Sequence, residues 1–281
     1  MRAAGQFDCV VDMICFTPAD AESLLRAVRG RTNHLIMCST VDVYVKPYVH
    51  YPVREDHPLQ GASAYGKDKA RCEAMLMEAH RQGIVPVTIL RPAQTYGEGR
   101  DIIHVFGRSI GVFKRLREGR PVIVHGDGSS LWAACYTEDV ARGFVGAAAN
   151  ERTFGKAYNV AGEEWTTWDG YTASLAEGLG APPPMIVHIP TDLLTALAPQ
   201  RSKIIVENFR FNNIFDNAAA HTDLGFQVTV PFVEGVRRTA AWLDARGRVE
   251  ASDGDPWQDR LIDAWQRLST RMVEEVGSQD L

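Results

Sequence analysis

Tyr65 and Lys69 stand four residues apart in Ser63-Ala64-Tyr65-Gly66-Lys67-Asp68-Lys69. On a helix that spacing stacks the two side chains on one face. A phenol beside a fixed ammonium can give and take a proton near neutral pH, because the positive charge favours phenolate and pulls the tyrosine pKa down from about 10. Upstream, Thr40 closes the apolar run His34-Leu35-Ile36-Met37-Cys38, where an open α/β sheet places its chemistry. A hydroxyl there can bind the same reacting oxygen. Taken singly, Tyr65 and Lys69 read equally as a solvated surface pair, and Thr40 as a strand-end hydroxyl satisfying backbone.

These residues need a helix over 63 to 82. Ser63 supplies an N-cap and Gly83 a stop. Cys72, Met75, Leu76 and Ala79 give the buried stripe at i, i+3, i+4, i+7. Residues 7 to 16 and 34 to 38 read as strands buried on both faces, and Val85 to Leu90 as a third. Thr17 and Pro18 open a helix that runs to Gly30. Strand, helix, strand, helix, strand at short spacing predicts right-handed crossovers and a parallel sheet.

Further along, residues 101 to 118 read as a helix, 121 to 125 as a strand and 126 to 130 as a glycine turn. A small-residue helix over 139 to 149 and a strand over 157 to 160 follow. Thr166 or Thr167 caps a helix to Leu179, which breaks at Ala181-Pro182-Pro183-Pro184. Beyond Met185 the pattern is less regular, with helices near 191 to 198 and 231 to 245. The last helix, about 257 to 276, carries Trp257, Leu261, Ile262, Trp265, Leu268, Met272 and Val273 on one stripe, for packing or for a dimer interface.

The 281 residues are 45% hydrophobic and 23% charged, ordinary for a globular chain with a sizeable core. A net charge of -5 gives no general attraction to nucleic acid or anionic membrane. Five scattered cysteines read as reduced thiols, and eight histidines show no ligand spacing, so no structural metal is expected. No apolar run reaches transmembrane length and the first residues lack a signal-peptide pattern, so a cytoplasmic location is expected.

Cys38-Ser39-Thr40-Val41-Asp42-Val43-Tyr44, then Tyr65-x-x-x-Lys69, then Arg91-Pro92-Ala93-Gln94-Thr95-Tyr96-Gly97-Glu98-Gly99 together resemble the extended short-chain dehydrogenase/reductases, the epimerase/dehydratase group. Gly126-Asp127-Gly128-Ser129, Tyr136-Thr137-Glu138-Asp139-Val140-Ala141, Tyr158-Asn159-Val160-Ala161-Gly162 and Asp223-Leu224-Gly225-Phe226 follow in the family's order. The resemblance implies an α/β fold with a Rossmann-type parallel sheet over 1–162. It also implies a smaller C-terminal α/β substrate-binding lobe over 163–281, with contributions from about 97–130.

It further implies hydride and proton transfer on a sugar or polyol. Tyr65 is the acid/base, Lys69 its partner and a ribose ligand, and Thr40 a hydrogen-bonding partner of the same oxygen. Lys69, Tyr65, Arg91, Pro92 and Cys38 would face NAD or NADP; Thr40, Gln94, Tyr96 and Trp132 would face substrate. Asp42 occupies the place where members that eliminate water often carry an acid; it reads equally as a capping aspartate. A homodimer packing 18–29 and 63–82 is implied.

The chain departs from that pattern. It has no Gly-x-x-Gly-x-x-Gly, and its first strand resembles the family's fourth, so a truncated sheet with an apolar edge open to another chain is expected. Leu131-Trp132 stands where an arginine for a nucleotide diphosphate is common, Gln94 replaces an asparagine and Val45 a glycine. Two other readings follow: a cofactor-independent acid/base enzyme using Tyr65, Thr40 and Asp42, or a non-catalytic binding protein.

Overall fold

The computed structural model describes residues 5–249 and 255–277. They form two compact units. The first comprises residues up to Tyr96, Leu131–Trp165 and Phe211–Pro231; the second comprises Gly97–Ser130, Thr166–Arg210 and the residues from Phe232. Residues 211 to 231, which the sequence reading puts in the C-terminal lobe, thus belong with the sheet-bearing unit.

The first unit is built on four parallel strands in the order β1 (Val10–Asp12), β2 (Leu35–Cys38), β3 (Val87–Pro92) and β4 (Lys156–Val160). Val10 lies opposite Leu35, Leu35 opposite Val87, and Thr88 opposite Lys156. The expected strand over 7–16 is only three residues long. After it, Asp12 Oδ1 accepts the N–H groups of Ile14 and Cys15 at 2.8 and 2.6 Å, which turns the chain out of the sheet.

Helix α1 (Pro18–Val28) starts as its sequence indicates. The Thr17 hydroxyl accepts the Asp20 N–H and the Asp20 carboxylate accepts the Thr17 N–H, a capping box. Helix α2 (Ala64–Arg81) is capped by Ser63 Oγ, which accepts the Gly66 N–H at 3.0 Å. Both helices cover one sheet face, where Ala21, Leu24, Val28, Cys72 and Leu76 bury against Leu35, Met37, Val87 and Ile89. The other face packs Ile36, Leu90 and Tyr158 against Val140 and Phe144 of helix Thr137–Ala147 and Leu224 of helix Ala218–Leu224. Sheet alternation thus sends neighbouring residues to opposite helix layers.

The second unit holds a parallel pair, Val122–His125 with Ile186–Ile189. Strand Ile186–Ile189 lies in the stretch that reads as irregular. Residues 101 to 118 are not one helix: Ile103–His104 and Gly107–Arg108 form a small antiparallel hairpin, and only Gly111–Arg117 is helical. Gly107 takes a positive φ of 93°, which ends any helix there. Helices Trp168–Gly178 and Phe232–Asp244 cross at Gly178, where a Cβ would come within 2.6 Å of Val236. The C-terminal helix, Pro256–Val276, is held through Asp259, whose carboxylate accepts from the fully buried Arg115 at 2.7 Å.

Candidate active site

The strand ends of β2 and β3 and the N-terminal turns of α2 converge within the first unit. Beyond Cys38 the chain leaves β2 and makes a single 3-10 turn over Val41–Val43. Thr40 caps this turn: its Oγ1 accepts the Asp42 N–H at 3.2 Å. The hydroxyl keeps its hydrogen and a second lone pair for other partners.

Lys69 is buried, at 1% exposure, and its Nζ donates to the Cys38 carbonyl at 2.7 Å. The ammonium also lies 4.7 Å from the Phe16 ring centroid and 5.9 Å from that of Tyr65. Tyr65 is 42% exposed and faces Phe16 with ring centroids 6.4 Å apart. The buried cation and the accessible phenol therefore share the space above the β2 terminus, as their one-turn spacing on α2 requires.

Gly66, directly after Tyr65, sets this approach. A Cβ on it would overlap the Asp42 carbonyl oxygen and would stand 3.2 Å from Gly61 Cα. Gly61 in turn has a φ of +61° and packs on the Gly66 backbone. Two bare backbones let α2 come down on the turn that carries Thr40 and Asp42. The Tyr-x-x-x-Lys spacing hides this contact, because it joins segments distant in sequence.

Asp42 pairs with Lys46 at 3.2 Å; the lysine side chain is 2% exposed and the carboxylate 29%. Sequence reasoning missed Lys46. Its signal is only its place four residues after Asp42.

Arg91 has its guanidinium in the interior. Nε donates to the two Glu73 oxygens at 3.1 and 3.2 Å and Nη2 to Oε2 at 2.6 Å. Nη1 donates to the Tyr44 hydroxyl at 3.0 Å and to the Glu55 carbonyl at 3.1 Å. Glu73 also accepts from Ser39 Oγ, and the Tyr44 hydroxyl donates to Asn159 Oδ1 at 2.6 Å. Burial raises the Tyr44 phenol pKa, so it stays a neutral donor. Burial likewise raises that of Glu55, whose carboxylate accepts the Asn159 N–H at 2.8 Å. This network ties α2, β2, β3 and β4 together beneath the site. Glu73, one turn after Lys69, was not singled out in the sequence.

Of the residues expected to face substrate, Thr40 and Gln94 lie at or near strand ends. Gln94 is half-buried and donates to the Thr95 carbonyl at 3.3 Å. Tyr96 is sealed at 0% exposure against Tyr136, and Trp132 is buried at 4%. Both aromatics contribute to the interior as placed. Pro92, at the end of β3, is buried opposite Val160.

A parallel sheet covered by helices on both faces defines the Rossmann-type class of α/β proteins. The family model for the NAD dependent epimerase/dehydratase family matches residues 19–161, and the chain belongs to that family. It is 30% identical to UDP-glucose 4-epimerase of Mycolicibacterium smegmatis over 69% of this chain and 56% of that protein. It is 28% identical to the chloroplast stem-loop binding protein of 41 kDa b of Arabidopsis thaliana over 66% of this chain and 46% of that one. The chain thus spans about half the length of these curated relatives. UDP-glucuronic acid 4-epimerase from Bacillus cereus, solved with NAD, superposes with a TM-score of 0.65 and 21% identity, covering 82% of this chain and 67% of that one.

The described residues suit one end of a dinucleotide. Lys69, the accessible Tyr65 ring and the Cys38 strand end match the chemistry of a nicotinamide ribose: a cation, a phenol and an apolar wall from Phe16. No Gly-x-x-Gly-x-x-Gly occurs in the chain, so no described residue is assigned to the diphosphate.

Proposed function

We propose that the chain carries the proton-transfer half of an NAD(P)-dependent epimerase/dehydratase-type site acting on a hydroxyl-bearing carbon of a sugar or polyol. The observation that supports it is Lys69: a buried ammonium held on the Cys38 carbonyl beneath the exposed Tyr65 ring. A cation placed there favours phenolate in Tyr65. Tyr65 then takes the substrate hydroxyl proton, and Thr40 donates a hydrogen bond to the same oxygen. Lys69 holds the ribose and the charge. A bound nicotinamide supplies hydride acceptance. Asp42, fixed by Lys46, stands two residues from Thr40, where a carboxylate can take a proton from carbon next to a new ketone.

Calorimetric titration with NAD and with NADP tests the reading. Binding of either one that weakens in Lys69→Met is expected; no binding of either would discard the cofactor-dependent form. A cofactor-independent acid/base enzyme would instead show turnover in a cofactor-stripped preparation that is lost in Tyr65→Phe. The name of the Arabidopsis relative favours a separate, nucleic-acid-binding reading, against which stands the net charge of -5. Retention on RNA that falls steeply with salt would support that reading.

The apolar edge expected from the sequence is present at β1, which pairs with β2 alone among the described strands. Val11, Met13, Ile14 and Phe16 are exposed along it and beyond it. We propose that this edge is covered by another strand in the working protein.

A further inference from the structure

The C-terminal helix buries Ile262 but leaves Leu268, Met272, Val273 and Val276 at 57, 58, 68 and 65% exposure. At about 100° per residue, Leu261, Trp265, Leu268, Met272 and Val276 fall within a sector of about 80°. Their spacing of four, three, four and four residues is that of a seam that receives another helix. From residue 270 onward every described residue of the helix is exposed. Isolated helical turns are marginal in water, and an apolar stripe there needs a partner.

We propose that this stripe docks antiparallel against the same helix of a second copy of the chain, with the twofold axis at Met272. The seam is self-complementary about that residue. Leu268 and Val276 are each four residues from it, so an antiparallel copy sets one against the other. The charges select the direction. Arg271 and Glu275 lie on the same flank of the stripe and are ion-paired within the chain, Nε to Oε1, at 2.6 Å. In an antiparallel pair like flanks face each other, so Arg271 meets the partner's Glu275 and the four charges interlock. In a parallel pair that flank would face Ser269 and Val273, with no charge to meet. The inference is independent of the catalytic reading and of the expected packing through α1 and α2. The seam is short, so the association is concentration-dependent.

Sedimentation over a concentration series tests it on the full chain. Leu268→Glu with Met272→Glu, at positions already solvated in one copy, leaves the far-UV spectrum unchanged, and also the unfolding midpoint at concentrations where both proteins are monomeric. It weakens self-association about tenfold or more. Arg271→Glu weakens it, and Arg271→Glu with Glu275→Arg restores it. Under copper-phenanthroline, Met272→Cys gives a crosslinked dimer, whereas wild type and Glu274→Cys, on the opposite face, do not. A monomer at every concentration would overturn the proposal. So would a dimer indifferent to these substitutions that yields no crosslink at 272, which would place the interface elsewhere. A charge swap without effect would overturn the antiparallel arrangement.

Discussion

The Lys69 ammonium is buried and donates to the Cys38 carbonyl at 2.7 Å, yet among the described residues no carboxylate lies within ion-pair distance of it. Burying a cation without a counter-ion costs stability, so removing the charge tests whether Lys69 serves the fold. Lys69→Met keeps the stem and removes the charge. It is expected to leave the unfolding midpoint equal to or above that of wild type while cofactor affinity and turnover fall. Calorimetric unfolding and cofactor titration on one preparation check both halves; a clearly destabilised Lys69→Met would point to structure instead.

Tyr65→Phe separates the phenol from its ring. The side chain is 42% exposed, so stability should change by about 0.5 kcal/mol or less. The ring contact with Phe16 remains, while the hydroxyl is gone. Turnover should fall about a hundredfold or more. Unchanged turnover would remove Tyr65 from the chemistry.

Gly66→Ala tests how the helix is positioned. Alanine improves local helix propensity by up to about 1 kcal/mol. Here its methyl would overlap the Asp42 carbonyl, a backbone atom that can yield only if α2 moves away from the Thr40 turn. Overpacking of this kind costs about 1–3 kcal/mol. The expected outcome is a lowered unfolding midpoint with activity lost beyond what the unfolded fraction explains. Gly83→Ala, at a helix end where an added methyl meets nothing but φ is +69°, should affect stability alone.

Where information was local, the sequence carried it. Thr17 with Pro18 and Ser63 with Gly83 bounded α1 and α2 to within a residue or two, because capping is short-range chemistry. The buried runs at 34–38 and 85–90 announced parallel strands, which lie at Leu35–Cys38 and Val87–Pro92. Tyr65, Lys69 and Thr40 were legible as candidates from spacing and strand-end position. The hairpin at 103–108 was not, since Ile102, Val105 and Phe106 also satisfy a helical period. Nor were Gly66, Lys46 and Glu73, whose roles rest on contacts across turns and layers. A glutamate on an amphipathic helix looks solvated until Arg91 and Ser39 are seen beside it.

The Glu73–Arg91 pair makes its own prediction. Both side chains are almost fully buried, at 3 and 4% exposure, and 2.6 Å apart. Glu73→Gln leaves a guanidinium inside without its counter-ion and should lower stability by about 3–5 kcal/mol. Glu73→Leu with Arg91→Met removes both charges and should recover part of that loss, though Ser39 and Tyr44 lose partners. Denaturant unfolding of Glu73→Leu, Arg91→Met and the double variant gives the coupling. Additive losses would show that the pair is not one unit.

Acid should destabilise the protein before its carboxylates titrate. Burial lowers the pKa of His34 and of His125 to about 4 and that of His104 to about 3. In the unfolded chain each titrates near 6.5. Between those values the unfolded state binds protons that the folded state refuses, so stability is complete above pH 6.5 and is lost as pH falls toward 4. Each group contributes a slope of up to about 1.4 kcal/mol per pH unit. Glu55, raised by burial, acts in the opposite sense, one group against three. The surface carboxylates with lowered values, such as Asp223 beside Lys156 and Asp244 beside Arg117, keep their contribution above the usual carboxylate range and lose it as pH falls through that range toward their folded values. The unfolding midpoint should therefore fall steadily from pH 7 to pH 5, and His104→Phe should remove about a third of that slope. A flat midpoint across this interval would mean that the three imidazoles are already protonated, or solvated, in the folded protein.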